Sequence, residues 1–442
     1  MEERSKKDYG AKALLPIAVF LVLYVGCGIV FAILGTEKPF NVMPRYVAVL
    51  AGVLTGLFVF ERDKKISDKA EIYYKAAGGV GSMTFALVVL MAGGFAGACA
   101  AVGGKDSMVN LGISLIPPSL LVPGIFVMCA IISTCIGSCM GTVSVMGPIA
   151  VALAEGVGLN LAMVCAAVLT GSTFGDNLSM ISDTTICATK GVGADMRDKF
   201  RVNAKLAIPA ALITAIVYVI VSSQSGVTVA EVGSYNIITV IPYIAVLVLS
   251  LCGLDVILVL AIGMGLACVA GLVTGNADFF AWAQGVGSGM EGMFWVCVFV
   301  MMISGMVGLI RYYGGLDWLV GKAKKAMNSQ KKCEFMILLF PMVLAAIIVN
   351  NTLSIIISAP IVKELGEKYK VTPKSMAALL DIGACMGPMV MPHGTLMMMV
   401  QEYSSSGYLD ILKYEYYPLI FTIIVIVAIQ LGFFHKKDKA AA

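Results

Sequence analysis

Apolar residues run along this chain in long blocks, and polar residues collect in short segments between them. Ten blocks have the length of a membrane-spanning helix, which takes about 20 residues: 13–34, 42–60, 79–103, 160–189, 204–223, 236–252, 254–274, 290–310, 375–400 and 416–434. Two further stretches, 120–155 and 333–362, do not fit single helices. The first carries Pro123, Gly137, Gly141, Gly147 and Pro148, and the second is interrupted by Asn350-Asn351-Thr352 and closed by Pro360. Each predicts a re-entrant hairpin that enters and leaves on one side. The predicted fold is an all-α membrane protein of about ten transmembrane helices plus two re-entrant hairpins, in one transmembrane domain spanning 1–442.

Composition agrees. Of 442 residues, 59% are hydrophobic and 13% charged, about half the charged share of soluble domains. The polar loops 61–75, 190–205 and 321–333 are too short to fold alone. The first apolar run, Ala13 to Leu34, is too long for a signal-peptide core and lacks a small-residue cleavage site, so it is expected to stay as the first helix. The twelve cysteines lie mostly inside apolar segments, with no Cys-x-x-Cys pair and no Cys/His cluster, which argues against zinc or a disulfide framework.

The net charge of +4 carries less information than its distribution. With the amino terminus inside and both long stretches folded as hairpins, all 31 basic residues fall on the inner side except Lys38, Arg45, Lys105 and Lys413. Lys199 is counted inside with the 190–205 loop. Making 120–155 a full crossing would force that loop outside, against the positive-inside rule. The expected location is a bacterial-type plasma (inner) membrane, with many passes and both termini cytoplasmic.

Slid against itself by 212 residues, the chain places Pro148-Ile149 on Pro360-Ile361, Ala166 on Ala378, Gly171 on Gly383 and Gly175 on Gly387. The expected repeats cover about 79–223 and 290–434, with hairpins 120–155 and 333–362. In the topology above they are inverted, with discontinuous helices, the arrangement many secondary transporters use for alternating access.

The run from Thr170 to Thr185 sits in an apolar span yet holds Gly171, Ser172, Gly175, Asp176, Asn177, Ser179, Ser182, Asp183 and Thr184. An unwound segment would free carbonyls, hydroxyls and carboxylates to ligate a small hard cation. A carboxylate at the bilayer centre costs roughly 2.5–3.5 kcal/mol, and a bound ion or proton offsets that. Asp176, Asn177, Ser179, Ser182, Asp183 and Thr184 are therefore the candidate ion- and proton-binding residues, with sodium at Asp176 and Asp183. A polar contact between helices is the plainer alternative.

The counterpart 387–395 has Pro388, Pro392, His393 and Thr395 and no carboxylate, so it too should be broken. Asp381 lies inside the membrane as a third titrating group or as the partner of a buried donor. His393 reads as a hydrogen-bonded packing residue before it reads as a proton carrier. The hairpin tips carry Ser138, Gly141 and Thr142, and Asn350, Asn351, Thr352 and Ser354. Small and amide residues there either bind an ion or substrate or simply let the chain turn.

The stretch Phe174-Gly175-Asp176-Asn177-Leu178-Ser179 through Ser182-Asp183-Thr184-Thr185 resembles the signature of the NhaC family of sodium/proton antiporters, in the ion transporter superfamily. It differs at Asn177, where that family often has lysine, and at Met180, where it often has proline. Gly387 to Thr395 is similar, more weakly, to the family's Ser-Pro-Leu-Ile-Pro-Trp-Asn-Thr run, with His393 and Gly394 in place of tryptophan and asparagine. Asn350-Asn351-Thr352 resembles the Ser-Asn-Thr tips of dicarboxylate/sodium symporters in the same superfamily. The resemblance implies exchange of cytoplasmic sodium for external protons by alternating access. Some family members move malate and lactate, and short relatives carry amino acids, so the alternative is a sodium- or proton-coupled transporter of an amino acid or organic acid. Its expected partners are membrane lipid, sodium, protons and, on the alternative, a small organic substrate. A homodimer is left open, and no nucleic acid or cofactor is expected. An intramembrane aspartyl protease does not fit, because Thr173 stands where Gly-x-Gly-Asp needs its first glycine and no Tyr-Asp pair occurs. No catalytic residue, and hence no enzyme, is expected.

Overall fold

Glycine, proline and hydroxyl residues divide the apolar runs into helices, and the divisions fall where helix ends need them. The computed structural model describes residues 8–115, 117–180, 182–223, 234–326 and 329–435. Arg4, Lys6, Lys7, Lys436, Lys437 and Lys439 of the charge count, and Ile181 of the polar run, lie outside the described residues. Among the described residues the chain is helical, with no strand. Seven helices are long and apolar enough to cross a membrane, and four shorter apolar ones accompany them.

The first run folds as α1 (Leu15–Leu21) and α2 (Cys27–Ile33), joined by a π-helical turn, Val22–Gly26. Next come α3 (Arg45–Val59), the short amphipathic α4 (Ile66–Ala77), α5 (Val80–Ala101) and α6 (Gly104–Leu115). The stretch expected as the first hairpin is two helices, α7 (Pro118–Ile136) and α8 (Cys139–Val157). Gly137 turns between them at φ 73°, and the Ser138 hydroxyl caps α8 by accepting from the Gly141 N–H at 3.1 Å. After it come α9 (Leu161–Leu178), α10 (Asp183–Val192), α11 (Met196–Ser223), α12 (Ile237–Leu251) and α13 (Val256–Thr274).

The second half begins with α14 (Phe279–Tyr312) and α15 (Gly315–Ala326). The second hairpin is α16 (Gln330–Ile348) and α17 (Asn351–Lys368). Its turning residue is Val349, at φ 54°, a conformation that costs a β-branched residue about 1–3 kcal/mol. Asn350 then caps α17, its Oδ1 accepting from the Leu353 N–H at 2.8 Å. The chain ends with α18 (Pro373–Met386), α19 (Thr395–Ser404), α20 (Tyr408–Leu412) and α21 (Tyr416–Gln430).

Element boundaries recur 212 residues apart: helix starts Pro118 and Gln330, turns Gly137 and Val349, caps Asn160 and Thr372, restarts Asp183 and Thr395, and left-handed ends Gly193 and Ser405. Packing recurs with them. A Cβ on Gly171 of α9 would lie 2.4 Å from the Phe126 carbonyl oxygen, and one on Gly383 of α18 would lie 2.1 Å from that of Leu338. A Cβ on Gly175 would meet Ala130 O at 2.7 Å, and one on Gly387 would meet Met342 O at 2.1 Å. Each broken helix therefore lies backbone-close on the first arm of its own hairpin, as small residues at i and i+4 allow.

Two of the expected spans are interrupted and two begin earlier than expected. The 160–189 run is helical through Leu178, where the last α9 backbone bond runs from Ser179 N–H to Gly175 O, and it is helical again from Asp183. The 375–400 run is likewise broken, at 387–394, where Pro388 and Pro392 interrupt the ladder. The 290–310 span starts earlier, at Phe279, where the Asp278 side chain caps the helix. At 34 residues, α14 is about 51 Å long, well beyond the hydrocarbon thickness. The 204–223 span starts at Met196, so Lys199 belongs to a helix and not to a loop.

The outer faces are apolar. Leu212, Ile216 and Ile220 on α11 and Leu419, Ile423 and Val427 on α21 form exposed stripes at four-residue spacing, an arrangement suited to lipid.

Candidate ion-binding site

A cavity of about 230 Å³ opens where the two hairpin tips meet the two helix breaks. Ser138 lines it from the first tip, and Asn350, Asn351 and Thr352 line it from the second. Asp176, Ser182, Asp183 and Thr184 contribute from the first break, and Pro388 and Thr395 from the second. Cys139 and Cys385 complete the wall beside Asp176.

The break in α9–α10 shapes the polar part. Asp176 lies two residues before the end of α9 and is 3% exposed. Just before α10 begins, the Ser182 hydroxyl donates to Asp176 Oδ1. Ser182 and Thr184 hydroxyls are 2.9 Å apart. The Cys385 thiol lies 3.9 Å from Oδ2, and the Cys139 thiol also bonds the carboxylate. No ion pair to Asp176 exists among the described residues.

Asp381 is held differently. It does not line the cavity, and its Oδ2 is 2.7 Å from Lys199 Nζ, with the two side chains 0% and 1% exposed. Lys199 also donates to Asn177 O at 2.9 Å and to Thr185 Oγ1 at 2.6 Å, so the three ammonium hydrogens meet three acceptors. Asn203, one turn on, donates to Asn177 O at 3.0 Å and to Asp381 Oδ2 at 3.2 Å. The Cys385 thiol bridges the two carboxylates, lying 4.0 Å from Asp381 Oδ1. Asp381 thus lies in a buried ion pair with Lys199.

Several expected site residues lie behind the cavity wall. Asn177 is buried with its amide donating to Thr173 O at 3.0 Å, and Ser179 is buried in the break. The Thr142 hydroxyl donates to Ser138 O at 2.9 Å, Gly141 takes part in the tip's cap, and the Ser354 hydroxyl ties α17 to Pro341 O at 2.8 Å. These residues shape the tips. His393 is fully buried, donates from Nε2 to Ala346 O at 3.1 Å and packs edge-on to Phe20 at 5.2 Å. It is a packing histidine away from the cavity.

Asp183 departs from the burial expected of it. It is exposed, at the first position of α10, where the positive end of the helix dipole favours a carboxylate.

Lys199, Asn203 and Cys385 were not singled out from the sequence. A signal for the first two exists: Lys199, Asn203, Ala207, Ala210, Thr214 and Tyr218 recur at helical spacing on the buried face of α11. Neighbouring Arg197, Arg201 and Lys205 hide it by making the segment look like a basic loop.

Comparison with known proteins adds to this geometry. The Na+/H+ antiporter family matches residues 2–223 and, separately, residues 224–436. The malate-2H(+)/Na(+)-lactate antiporter of Bacillus subtilis is 34% identical over 140 residues, 32% of this chain and 30% of that protein. The Na(+)/H(+) antiporter NhaC of Alkalihalophilus pseudofirmus is 22% identical over 371 residues, 77% of this chain and 80% of that one. The arginine/ornithine antiporter ArcD of Halobacterium salinarum is 22% identical over 468 residues, 96% of this chain and 94% of that one.

Proposed function

This chain belongs to the Na+/H+ antiporter family, and from that premise we propose that it exchanges cytoplasmic sodium for external protons by alternating access. It is a multi-pass membrane protein and a secondary antiporter. The observation that carries the finer reading is the contrast between its two buried aspartates. Asp381 has its counter-ion built in. Asp176 faces the cavity with a hydroxyl and two thiols on its carboxylate and no ion pair among the described residues. A buried carboxylate without a fixed cation calls for a mobile one. Sodium and proton can each serve, and one carboxylate cannot hold both. Ser182 and Thr184 add hard oxygen ligands suited to sodium, and Asp183 lends negative charge at the cavity edge.

Competition at one site couples the two gradients without a separate gate. If exchange moves net charge, the membrane potential adds about 2.3 kcal/mol per charge per 100 mV. For alternating access, we take the segments 79–223 and 290–434 as inverted repeats, each with a re-entrant hairpin whose tip faces a broken helix. The boundaries 212 residues apart and the matched glycine contacts support that assignment. Both termini are then cytoplasmic in a bacterial-type plasma membrane. A homodimer belongs to the proposal only as an assembly to be tested.

The test is Asp176→Asn in everted vesicles. Sodium-dependent proton movement should be lost while the protein still inserts and melts like the parent. Exchange at the parental rate would place the site elsewhere.

A second reading rests on the cavity itself. Its volume of about 230 Å³, with Asn350, Asn351 and Thr352 on one wall, exceeds what a sodium ion fills. An organic acid or amino acid would fit beside the ion. Radiolabelled uptake into proteoliposomes with and without a sodium gradient separates the two readings.

A further inference from the structure

Glu415 immediately precedes α21 and is 6% exposed. Neither of its carboxylate oxygens has a hydrogen-bond partner among the described residues, and no ion pair to it is found there. The groups around it are already committed. Tyr218, fully buried on α11, donates its hydroxyl hydrogen to Tyr414 O at 2.9 Å. Tyr408 on α20 donates its own to Val390 O at 2.8 Å. The Tyr218 bond falls on the residue immediately before Glu415. The nearest basic residue along the chain, Lys413, is exposed and paired with Asp410 at 2.9 Å. An ionised carboxylate buried with neither donor nor cation is costly, so Glu415 depends on a bound proton.

Its neighbours fix where it stands relative to the cavity. The Tyr218 hydroxyl is 3.2 Å from Thr170 Oγ1. Thr170, Thr173 and Asp176 follow one another along one face of α9 at three-residue spacing, and the last two line the cavity. Asp176 lies about 9 Å further along the axis than Thr170. Tyr414, whose carbonyl accepts from Tyr218, also accepts at its own hydroxyl from Asn160, the cap at the start of α9, at 3.1 Å. Glu415 therefore sits on the amino-terminal side of α9, away from the break, beside the residue through which Tyr218 and Asn160 tie α11 and α9 together.

We propose that Glu415 is a second proton-binding group of this carrier, loading and releasing a proton on the amino-terminal side of α9 in step with Asp176. The inference rests on the proton-exchange reading above. No covalent bond changes: a proton passes between the Glu415 carboxyl and water on that side.

The test uses the full chain in proteoliposomes with an internal pH dye. Glu415→Gln keeps the shape and removes the exchangeable proton. It should move the pH of half-maximal sodium-driven proton movement by about one unit, a tenfold change in proton affinity. The sodium concentration for half-maximal rate should stay as in the parent. A variant that melts like the parent and keeps its pH profile overturns the proposal, since the acid then holds its proton permanently. Infrared difference spectra supply a readout that does not need transport. A carboxyl band that changes with pH in the parent and is missing from Glu415→Gln is expected, and its absence from the parent also overturns the proposal. If the parent shows the band but moves no protons with sodium, the exchange reading fails and the proton site stands. Should Glu415→Gln not fold, Glu415→Met carries the same two measurements.

Discussion

The Lys199–Asp381 pair allows a quantitative check on how charge is distributed in the site. Both side chains are buried and their charged atoms are 2.7 Å apart. Lys199→Met removes the ammonium and leaves Asp381 as a buried carboxylate without its counter-ion. Breaking one side of a buried pair costs about 3–5 kcal/mol. Asn203 still donates to Asp381 Oδ2 and Asn177 O, which places the loss near the lower end. Asp381→Asn alone strands the ammonium, but Asn177 O and Thr185 Oγ1 still accept from it, so that loss is smaller. The double variant Lys199→Met/Asp381→Asn carries no buried charge and should recover much of the deficit, because replacing both partners is far cheaper than replacing one. The coupling read from the cycle should reach about 2–3 kcal/mol. Thermal melting of the purified protein supplies the order: parent, then double variant, then Asp381→Asn, then Lys199→Met. Losses that simply add would refute the pairing argument. Transport supplies a second arm. Asp381→Asn should shift the pH profile of exchange without abolishing it, and abolition would move the coupling role from Asp176 to Asp381.

The remaining predictions concern the cavity edge and the topology. Asp183→Asn should weaken half-maximal sodium concentration a few-fold, in line with the about 0.3–1 kcal/mol of an exposed charge at a helix end; total loss of exchange would give Asp183 a direct ligand role equal to that of Asp176. Cysteines introduced at Lys105 and Gly158, in a background without reactive native thiols, should react with an impermeant reagent from outside, and one at Gly193 only from inside. Outside labelling at Gly193 would make 120–155 a crossing and remove the inverted-repeat proposal.

Much of the architecture was legible before any coordinates, for physical reasons. Hydrocarbon thickness sets the length of an apolar run, so helices stood out as blocks. Gly137 and the Asn350 cluster marked the two hairpin turns because a helix cannot continue through a left-handed residue and a cap, although in the second hairpin the left-handed residue is Val349. Gly171, Gly175, Gly383 and Gly387 announced their close backbone approach by having no side chain to obstruct it. Asp176, Ser182 and Thr184 were legible as polar residues in an apolar span.

Other features depended on where distant segments meet. Asp176 and Asp183 belong to one motif and differ in sequence terms only by position. One ends up buried near the end of α9 and the other exposed at the start of α10. Lys199 sits among basic neighbours that suggest a loop, and only the packing of α11 against α18 brings it to Asp381. Glu415 reads as an ordinary polar residue before a helix, and only the folded chain shows it buried without a hydrogen-bond partner among the described residues. Composition and spacing by themselves determined that this chain is a helical membrane protein with broken helices and hairpins, because bilayer thickness and backbone hydrogen bonding act locally along the chain. Tertiary structure alone decided which carboxylate has a built-in cation and which is left for a mobile one, because compensation of a buried charge depends on atoms within a few ångströms whatever their distance in sequence.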